Sequence, residues 1–206
     1  MQTKIVDIGL FFPQGTYSNA ELQSDFPDLK VRELTRLTGV ETRHICAKNE
    51  TSVDMGIAAA NNLFENSKID RSIIDYLIFC SAGGDYITPA SACVVHELLG
   101  LNTNCGALDI NQGCTGYIHA LSLANGLLAS GTASHVLIIT AEAISKMVND
   151  KDKSNKAIFG DGAAASLISK SDESKLLSKF MFGTDGSKFD QIIIKHGRER
   201  YPLPQS

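Results

Sequence analysis

The sequence predicts an α/β fold in which a parallel β-sheet is covered by helices on both faces. Four apolar runs typical of strands lie at residues 4–12, 75–81, 105–110 and 135–140. A segment with helical periodicity follows each of the first three runs. Because strands that are joined through helices run parallel and pack between layers of helices, this alternation predicts the fold class.

The first fifty residues predict one strand and two short helices. The strand at residues 4–12 is ended by proline and glycine. Asn19 is expected to cap a helix over residues 20–25, and a second helix over residues 30–37 is closed by Gly39.

A long helix is predicted to begin after Thr51, which is expected to be its N-cap. Asp54 stands at the third helical position, where a carboxylate completes a capping box. One face of this helix carries residues expected to point toward the core, namely Met55, Ala58, Ala59, Asn62 and Leu63.

Two further helices are bounded by clear signals. Pro89 and Ser91 open a helix that Gly100 terminates. The next helix follows the strand at residues 105–110 and ends at Gly131. Its core-facing residues are expected to be Ile118, Leu121, Leu127 and Leu128.

The last sixty residues change character. Residues 147–155 are polar and predict an exposed loop. The Gly-Asp-Gly turn at residues 160–162 is too short for a phosphate-binding loop, which favours a conformational role for its glycines. Strand-like stretches follow at residues 176–182 and 191–195.

Composition excludes several classes of protein. The net charge of −4, without a stripe of Lys and Arg, argues against a nucleic-acid partner. No apolar run is long enough for a membrane span and no signal peptide is evident, so a cytoplasmic protein without a membrane partner is expected. The five cysteines include no C-x-x-C pair, and no His stands at ligand spacing, so no metal site or disulfide framework is expected.

Cys114 is the candidate nucleophile because it lies where an apolar strand turns into an amphipathic helix. Unpaired amides and the positive end of the helix dipole favour a thiolate there, and the same amides can receive a developing oxyanion. Gly113 and Gly116 are expected to leave room for the turn and for a substrate. The alternative is a buried, inert cysteine, which is the commoner case.

No histidine of the chain is expected to act with Cys114. His119 follows Cys114 by five positions on the same helix, about 140° around its axis, and so faces away. His135 is expected at the far end of a strand, and His196 near the C-terminal tail. His44 and His96 are expected to be structural or solvated.

Five collinear motifs carry a resemblance to a family. They are T-G-V-E-T-R-H at 38–44, T-P-A-S-A at 88–92, D-I-N-Q-G-C-T-G at 109–116, A-E at 141–142 and F-G-D-G-A-A at 159–164. Together they resemble the N-terminal half of the beta-ketoacyl-ACP synthase III group within the thiolase-like superfamily. The resemblance implies a βαβαβαββ half with a mixed, mostly parallel five-stranded sheet. Residues 1–206 would form a single domain, with 1–170 as the core and 171–206 as last strands and a connection to an absent C-terminal half.

The resemblance also implies the chemistry. Cys114 would accept an acyl group from acyl-CoA or acyl carrier protein, and decarboxylation of malonyl-ACP would supply the attacking carbanion. The second step relies in the family on a His and an Asn from the C-terminal half, so the isolated chain is expected to lack condensing activity. No cofactor is implied beyond these thioester substrates. The expected partners are an acyl carrier protein and a second copy that pairs at residues 105–110.

Departures from the family pattern concern the substrate. The Trp and Arg that sandwich the adenine of CoA in the family are replaced by Glu33 and Leu37. Arg36 and Lys153 are the substitute candidates for contacts with CoA phosphates. Thr88 stands where the family often has a bulky Phe, which predicts that longer or branched acyl groups are accepted.

Three functions stay open at this point. The first is a condensing acyltransferase of the synthase III type. The second is another thiolase-like enzyme, such as an ester-forming acyltransferase or a hydroxymethylglutaryl-CoA-synthase-like enzyme. The third is a non-catalytic domain that binds acyl groups or pairs with another chain.

Overall fold

The computed structural model describes residues 2–171 and 179–202. The strands are β1 (Gln2–Phe11), β2 (Gly15–Ser18), β3 (Thr42–Ile45), β4 (Tyr76–Cys80), β5 (Gly106–Ile110), β6 (His135–Glu142) and β7 (Gly162–Ser171). The α-helices are α1 (Asn19–Asp25), α2 (Val31–Thr38), α3 (Ser52–Ser67), α4 (Ser91–Leu99), α5 (Gly116–Ala129) and α6 (Lys153–Lys156). No helix of this described part is long and apolar enough to cross a membrane.

The central sheet has five strands in the order β1-β7-β6-β4-β5. β4 runs parallel to both β5 and β6, while β7 is antiparallel to β1 and β6. Four strands therefore point one way and β7 points the other way. The predicted mixed βαβαβαββ arrangement is confirmed, with β5 at one edge of the sheet.

Helices cover both faces of this sheet, as predicted. Alternate residues of β4 point to opposite sides, so Leu77 and Phe79 pack with α3 and α4, and Ile78 packs with α5. β6 repeats this division, with Ile139 on the first face and Ile138 on the second. All five side chains are almost fully buried, and β5, the strand that precedes Cys114, pairs directly with β4 of this core.

The start of α1 differs from the prediction, because Ser18 and not Asn19 is the N-cap. Glu21 donates its amide to Ser18 Oγ at 3.3 Å and returns its carboxylate to the Ser18 amide at 2.7 Å. The Asn19 side chain instead donates to Thr35 Oγ1 at 2.7 Å and to the Val40 carbonyl at 2.8 Å. A hydroxyl with a carboxylate three residues later satisfies two amides, which explains the one-residue shift.

The capping box of α3 is confirmed. Thr51 Oγ1 accepts from the Asp54 amide at 3.2 Å, and the Asp54 carboxylate accepts from the Thr51 amide at 2.9 Å. On the predicted inner face, Met55, Ala59 and Leu63 are fully buried. Ala58 and Asn62 are only partly buried.

The predicted stop at Gly39 is also confirmed. Gly39 adopts a left-handed conformation with φ of 73°, and Gly100 does the same after α4 with φ of 63°. Glycine adopts this conformation without steric cost, so both helices end where the sequence indicates.

The core face of α5 is narrower than predicted. Leu121 and Leu128 are buried against the sheet. Ile118 was expected to join them but is 48% exposed, because it lies off the stripe that Ala120, Leu121, Ala124 and Leu128 form along the helix.

The predicted C-terminal strands are wrong where the structure describes them. Residues 179–182 and 191–195 belong to no strand, while residues 176–178 lie outside the described residues. Ile192 is 97% exposed and Ile194 is 67% exposed. Apolar β-branched residues form a strand only where a partner edge is available, and none contacts this stretch within the described residues.

Three short elements are absent from the sequence prediction. β2 and β3 form a separate antiparallel pair of four residues each. The short helix α6 also lies partly within residues 147–155, which were expected to be a loop throughout. All three elements are too short for periodicity to reveal them.

Candidate active site

The turn after β5 presents Cys114 to solvent. Cys114 is an exposed free cysteine two residues before α5 begins at Gly116. Thr115, the N-cap residue of α5, makes no side-chain capping bond. The first amides of α5 have no side-chain cap, although those of Gly116 and Ile118 donate to the carbonyls of Gly113 and Thr115. The positive end of the helix dipole still lies at the thiol.

Gly116 is required by close packing beneath this turn. A Cβ atom at Gly116 would lie 2.2 Å from Cys80 Sγ and 3.3 Å from Gln112 Cβ. The Cys80 thiol also donates to the Gln112 carbonyl over 3.5 Å. Gly113 differs, since no atom lies within 4 Å of a Cβ built there. Its predicted role in letting a substrate approach remains a prediction.

Cys114 lines a cleft of about 640 Å³. Other walls come from β1, the end of β4, the segment after it, α5 and the end of β6, through Ile8, Leu10, Cys80, Ala82, Tyr117 and Glu142. Most of these side chains are apolar. A thiol at the mouth of an apolar cleft, next to the positive end of a helix dipole, is suited to holding an acyl chain and stabilising an oxyanion.

The charged group of this cleft is Glu142, the last residue of β6. Partial burial raises the pKa of the Glu142 carboxyl, although hydrogen bonds from Ala82 and Ser81 oppose the shift. Burial also raises the pKa of Cys80 to about 11, and the neighbouring Glu142 adds to that shift. Cys80 is therefore a protonated thiol that packs beneath the turn, and Cys114 is the exposed one.

A second carboxylate, Asp109, connects the strand before Cys114 to the start of α4. Its two oxygens accept from the amides of Ser91 and Ala92, each at 2.7 Å. Asp109 thereby satisfies two amides that the helix itself leaves unpaired. Asp109 belongs to the motif at 109–116, but the local sequence pattern predicts no role for it.

Asp161, in the Gly-Asp-Gly turn, is a third structural carboxylate and is 5% exposed. It accepts from the amides of Cys46 and Ser145, each at 2.8 Å. A Cβ at the neighbouring Gly160 would lie 3.0 Å from the His44 carbonyl. These contacts support the conformational role favoured for this turn.

The other predicted substrate contacts do not line the Cys114 cleft. Arg36 is exposed in a separate groove that it shares with Arg32. Lys153 is exposed at the start of α6, and Thr88 is exposed on the loop between β4 and α4. Cys114 is thus separate from all three within the described residues, and their roles remain predictions.

The two positions that replace the adenine-binding pair are also on the surface. Leu37 is 78% exposed. The Glu33 carboxylate lies 3.7 Å from Lys30 Nζ in an exposed ion pair.

None of the five histidines, all of which the structure describes, lines the Cys114 cleft. His119 stacks on Phe182 with ring centroids 4.9 Å apart, on another side of α5, as expected from its angular position. His135 begins β6, at the end opposite Glu142, and its Nδ1 lies 4.0 Å from an Asp75 oxygen. The described residues therefore place no imidazole beside Cys114, the candidate nucleophile.

Comparison with known proteins agrees with these features. The family model for 3-oxoacyl-[acyl-carrier-protein] synthase III matches residues 108–186, which include Cys114 and Glu142. A putative 3-oxoacyl-[acyl-carrier-protein] synthase 3 of Campylobacter jejuni is 37% identical over 184 residues, 88% of this chain and 51% of the relative. The chain belongs to the 3-oxoacyl-[acyl-carrier-protein] synthase III family.

Solved structures of the synthase III family place the fold in the thiolase-like class. A 2.1 Å crystal structure of 3-oxoacyl-(acyl-carrier-protein) synthase III superposes with a TM-score of 0.95 at 37% identity, covering 99% of this chain and 61% of that one. The synthase III of Pseudomonas aeruginosa gives a TM-score of 0.84 at 28% identity, covering 92% of this chain and 57% of that one. The chain therefore spans about half the length of the synthase III relatives that it matches.

Proposed function

We propose that this chain carries the acyl-accepting half of a 3-oxoacyl-ACP synthase III site, with Cys114 as the nucleophile. The exposed thiol of Cys114 beside the uncapped start of α5 is the observation that carries the proposal. The names of the relatives supply the reaction class.

In the proposed first step, the Cys114 thiolate attacks the carbonyl carbon of an acyl thioester. The carbonyl oxygen becomes an oxyanion, which the positive end of the α5 dipole would stabilise. The bond between the carbonyl carbon and the donor sulfur then breaks, and the donor leaves as a thiolate. The product is an acyl group in thioester linkage to Cys114, and no oxidant or reductant is consumed.

The second step of the reaction would be condensation with malonyl-ACP. Loss of carbon dioxide leaves a carbanion, whose attack on the acyl-enzyme forms the carbon–carbon bond and releases the Cys114 thiolate. The absence of a histidine from the cleft of the described residues supports our proposal that the isolated chain stops at the acyl-enzyme. A longer relative would supply the missing polar groups from its other half.

Substrate and partner assignments belong to the same proposal. Thr88 is proposed to permit longer or branched acyl groups, and Arg36 and Lys153 are proposed to contact CoA phosphates. An acyl carrier protein is a proposed donor, and a second copy is proposed to pair with β5, which lies at a sheet edge. The five free cysteines support a reducing, cytoplasmic location.

The test is mass spectrometry of the chain after exposure to acetyl, branched and long-chain acyl thioesters. We expect one acyl adduct at Cys114, which Cys114→Ser abolishes. Cys93 is an internal control, because it is also an exposed free cysteine but lies within α4, away from the turn. Equal labelling of Cys93 and Cys114 would contradict the proposed nucleophile. A strict preference for acetyl donors would contradict only the assignment of Thr88.

A further inference from the structure

The position of Glu142 follows from the lengths of two neighbouring strands. β4 ends at Cys80, which is in register with Thr140 of β6. β6 continues for two more residues, so Glu142 extends past the end of β4 and lies beside the residues that follow it. Since side chains alternate along a strand, Glu142 is on the same face as Thr140, and both line the Cys114 cleft.

The Glu142 carboxylate binds the first residues after β4. One oxygen accepts from the Ala82 amide at 2.7 Å. The Ser81 hydroxyl lies 3.5 Å from the other oxygen but only 2.7 Å from the Gly83 carbonyl, so its proton belongs to Gly83. The Ala82 amide is therefore the principal partner of Glu142. Ser52, at the start of α3, donates to the same Gly83 carbonyl at 3.0 Å, which fixes the far side of this short segment.

Placing a charged carboxylate here costs desolvation free energy, which an uncharged acceptor for the Ala82 amide would not. Glu142 makes no ion pair among the described residues. Partial burial raises the pKa of its carboxyl, so the charge is held against its tendency to protonate. A charge-assisted bond to an amide is short and directional, which suits the fixing of a loop at a defined place.

We infer that Glu142 is a positioning residue of the Cys114 site, which holds residues 81–83 in place so that Ala82 forms part of the wall along which a bound acyl chain lies. This inference rests on the proposed acyl-accepting function. Ala82 and Glu142 face the same cleft as the nucleophile, so loss of the anchor opens the wall without touching Cys114. A long acyl chain uses that wall, whereas a small alkylating reagent does not.

The test compares Glu142→Ala and Glu142→Gln in the 206-residue chain. Glu50→Ala is the matched control, because the Glu50 carboxylate also accepts from a backbone amide, that of Ala47 at 3.0 Å, outside the Cys114 cleft. For Glu142→Ala we expect about a tenfold loss in the rate of Cys114 acylation by a long-chain acyl thioester. Alkylation by iodoacetamide should stay within about twofold of wild type. Glu142→Gln keeps an acceptor oxygen and should restore acylation, and Glu50→Ala should change neither rate.

Hydrogen–deuterium exchange of the segment at 81–83 tests the anchor independently of acylation. Exchange of the Ala82 amide should be faster in Glu142→Ala than in wild type and in Glu142→Gln. Unchanged exchange, or an equal loss of both reaction rates, would overturn the inference. Failure of Glu142→Gln to restore acylation would also overturn it. If wild type accepts no acyl group, the proposed function fails, and the exchange experiment still decides whether Glu142 positions this segment.

Discussion

Cys80 fills the space in which a side chain at Gly116 would begin, since its sulfur lies 2.2 Å from the position of a Cβ there. The end of β4 and the start of α5 are thus packed without a gap directly beneath the Cys114 turn. The turn that carries Cys114 is therefore held by this contact as well as by the strand before it. A substitution at Gly116 therefore tests how this contact affects the Cys114 turn.

Gly116→Ala should destabilise the protein and displace the Cys114 turn. The added methyl group cannot fit beside Cys80, and overpacking of this kind costs about 1–3 kcal/mol. Urea unfolding measures the loss of stability, and iodoacetamide labelling of Cys114 reports on the turn. Adding Cys80→Ala removes the obstructing sulfur, so the double variant should recover part of the lost stability and part of the wild-type labelling rate of Cys114. A double variant no better than Gly116→Ala alone would show that Cys80 is not the obstacle.

The stability of Glu142→Gln relative to wild type should depend on pH. Because burial raises the pKa of Glu142 in the folded protein above its ordinary value of 4.5, the folded state favours the protonated carboxyl. The stability that protonation provides is therefore lost as the pH rises through the raised pKa. Glutamine does not titrate. The free energy of unfolding of the variant, relative to that of wild type, should therefore rise between about pH 5 and about pH 8.

Urea unfolding of both proteins at the two pH values measures this difference. Glu50→Gln serves as the control, since Glu50 makes a similar amide contact outside the Cys114 cleft. An unchanged difference between wild type and Glu142→Gln would show that Glu142 titrates alike in the folded and unfolded chains.

Asp109→Ala should lower the free energy of unfolding by about 1–3 kcal/mol, because it leaves two amides at the start of α4 without an acceptor. Asp109→Asn keeps one acceptor oxygen and should cost less. Urea unfolding of the two variants gives the comparison. Equal effects of the two substitutions would mean that the charge of Asp109, and not its two acceptors, matters.

Lys153→Ala and Arg36→Ala should slow acylation of Cys114 by acyl-CoA, as expected if both cations contact its phosphates. Each exposed contact is worth at most about 1 kcal/mol, or about fivefold in rate. Acylation by a short thioester without the nucleotide should not change. The exposed Lys188 of the C-terminal segment provides the control substitution. Equal slowing with both donors would contradict a phosphate contact.

The sequence predicts four of the five strands of the central sheet because buried strands and capped helices leave local signals. The fifth strand, β7, is expected only from the family resemblance. The stop at Gly39 and the capping box of Thr51 each depend on residues within one turn of a helix. The strand predicted at residues 191–195 fails for the opposite reason, since apolar content alone does not supply a neighbouring strand.

The sequence predicts only part of the candidate site, because some of its contacts join residues that are far apart in the chain. Cys114 can be found because its turn is local and matches a motif. The contact of Glu142 with Ala82 joins residues 60 positions apart and follows from the register of β4 and β6. That of Asp109 with Ser91 depends in the same way on where α4 packs. In this chain, carboxylates at the ends of apolar strands were the available signal.

β5 is both an open edge of the sheet and the stem of the Cys114 turn, because only three residues separate Ile110 from Cys114. A strand that joins this edge would restrain the stem and with it the thiol. The labelling rate of Cys114 should therefore report on whatever pairs with β5. Measured across a dilution series, a single chemical modification would give both the reactivity of the nucleophile and the state of assembly of the chain.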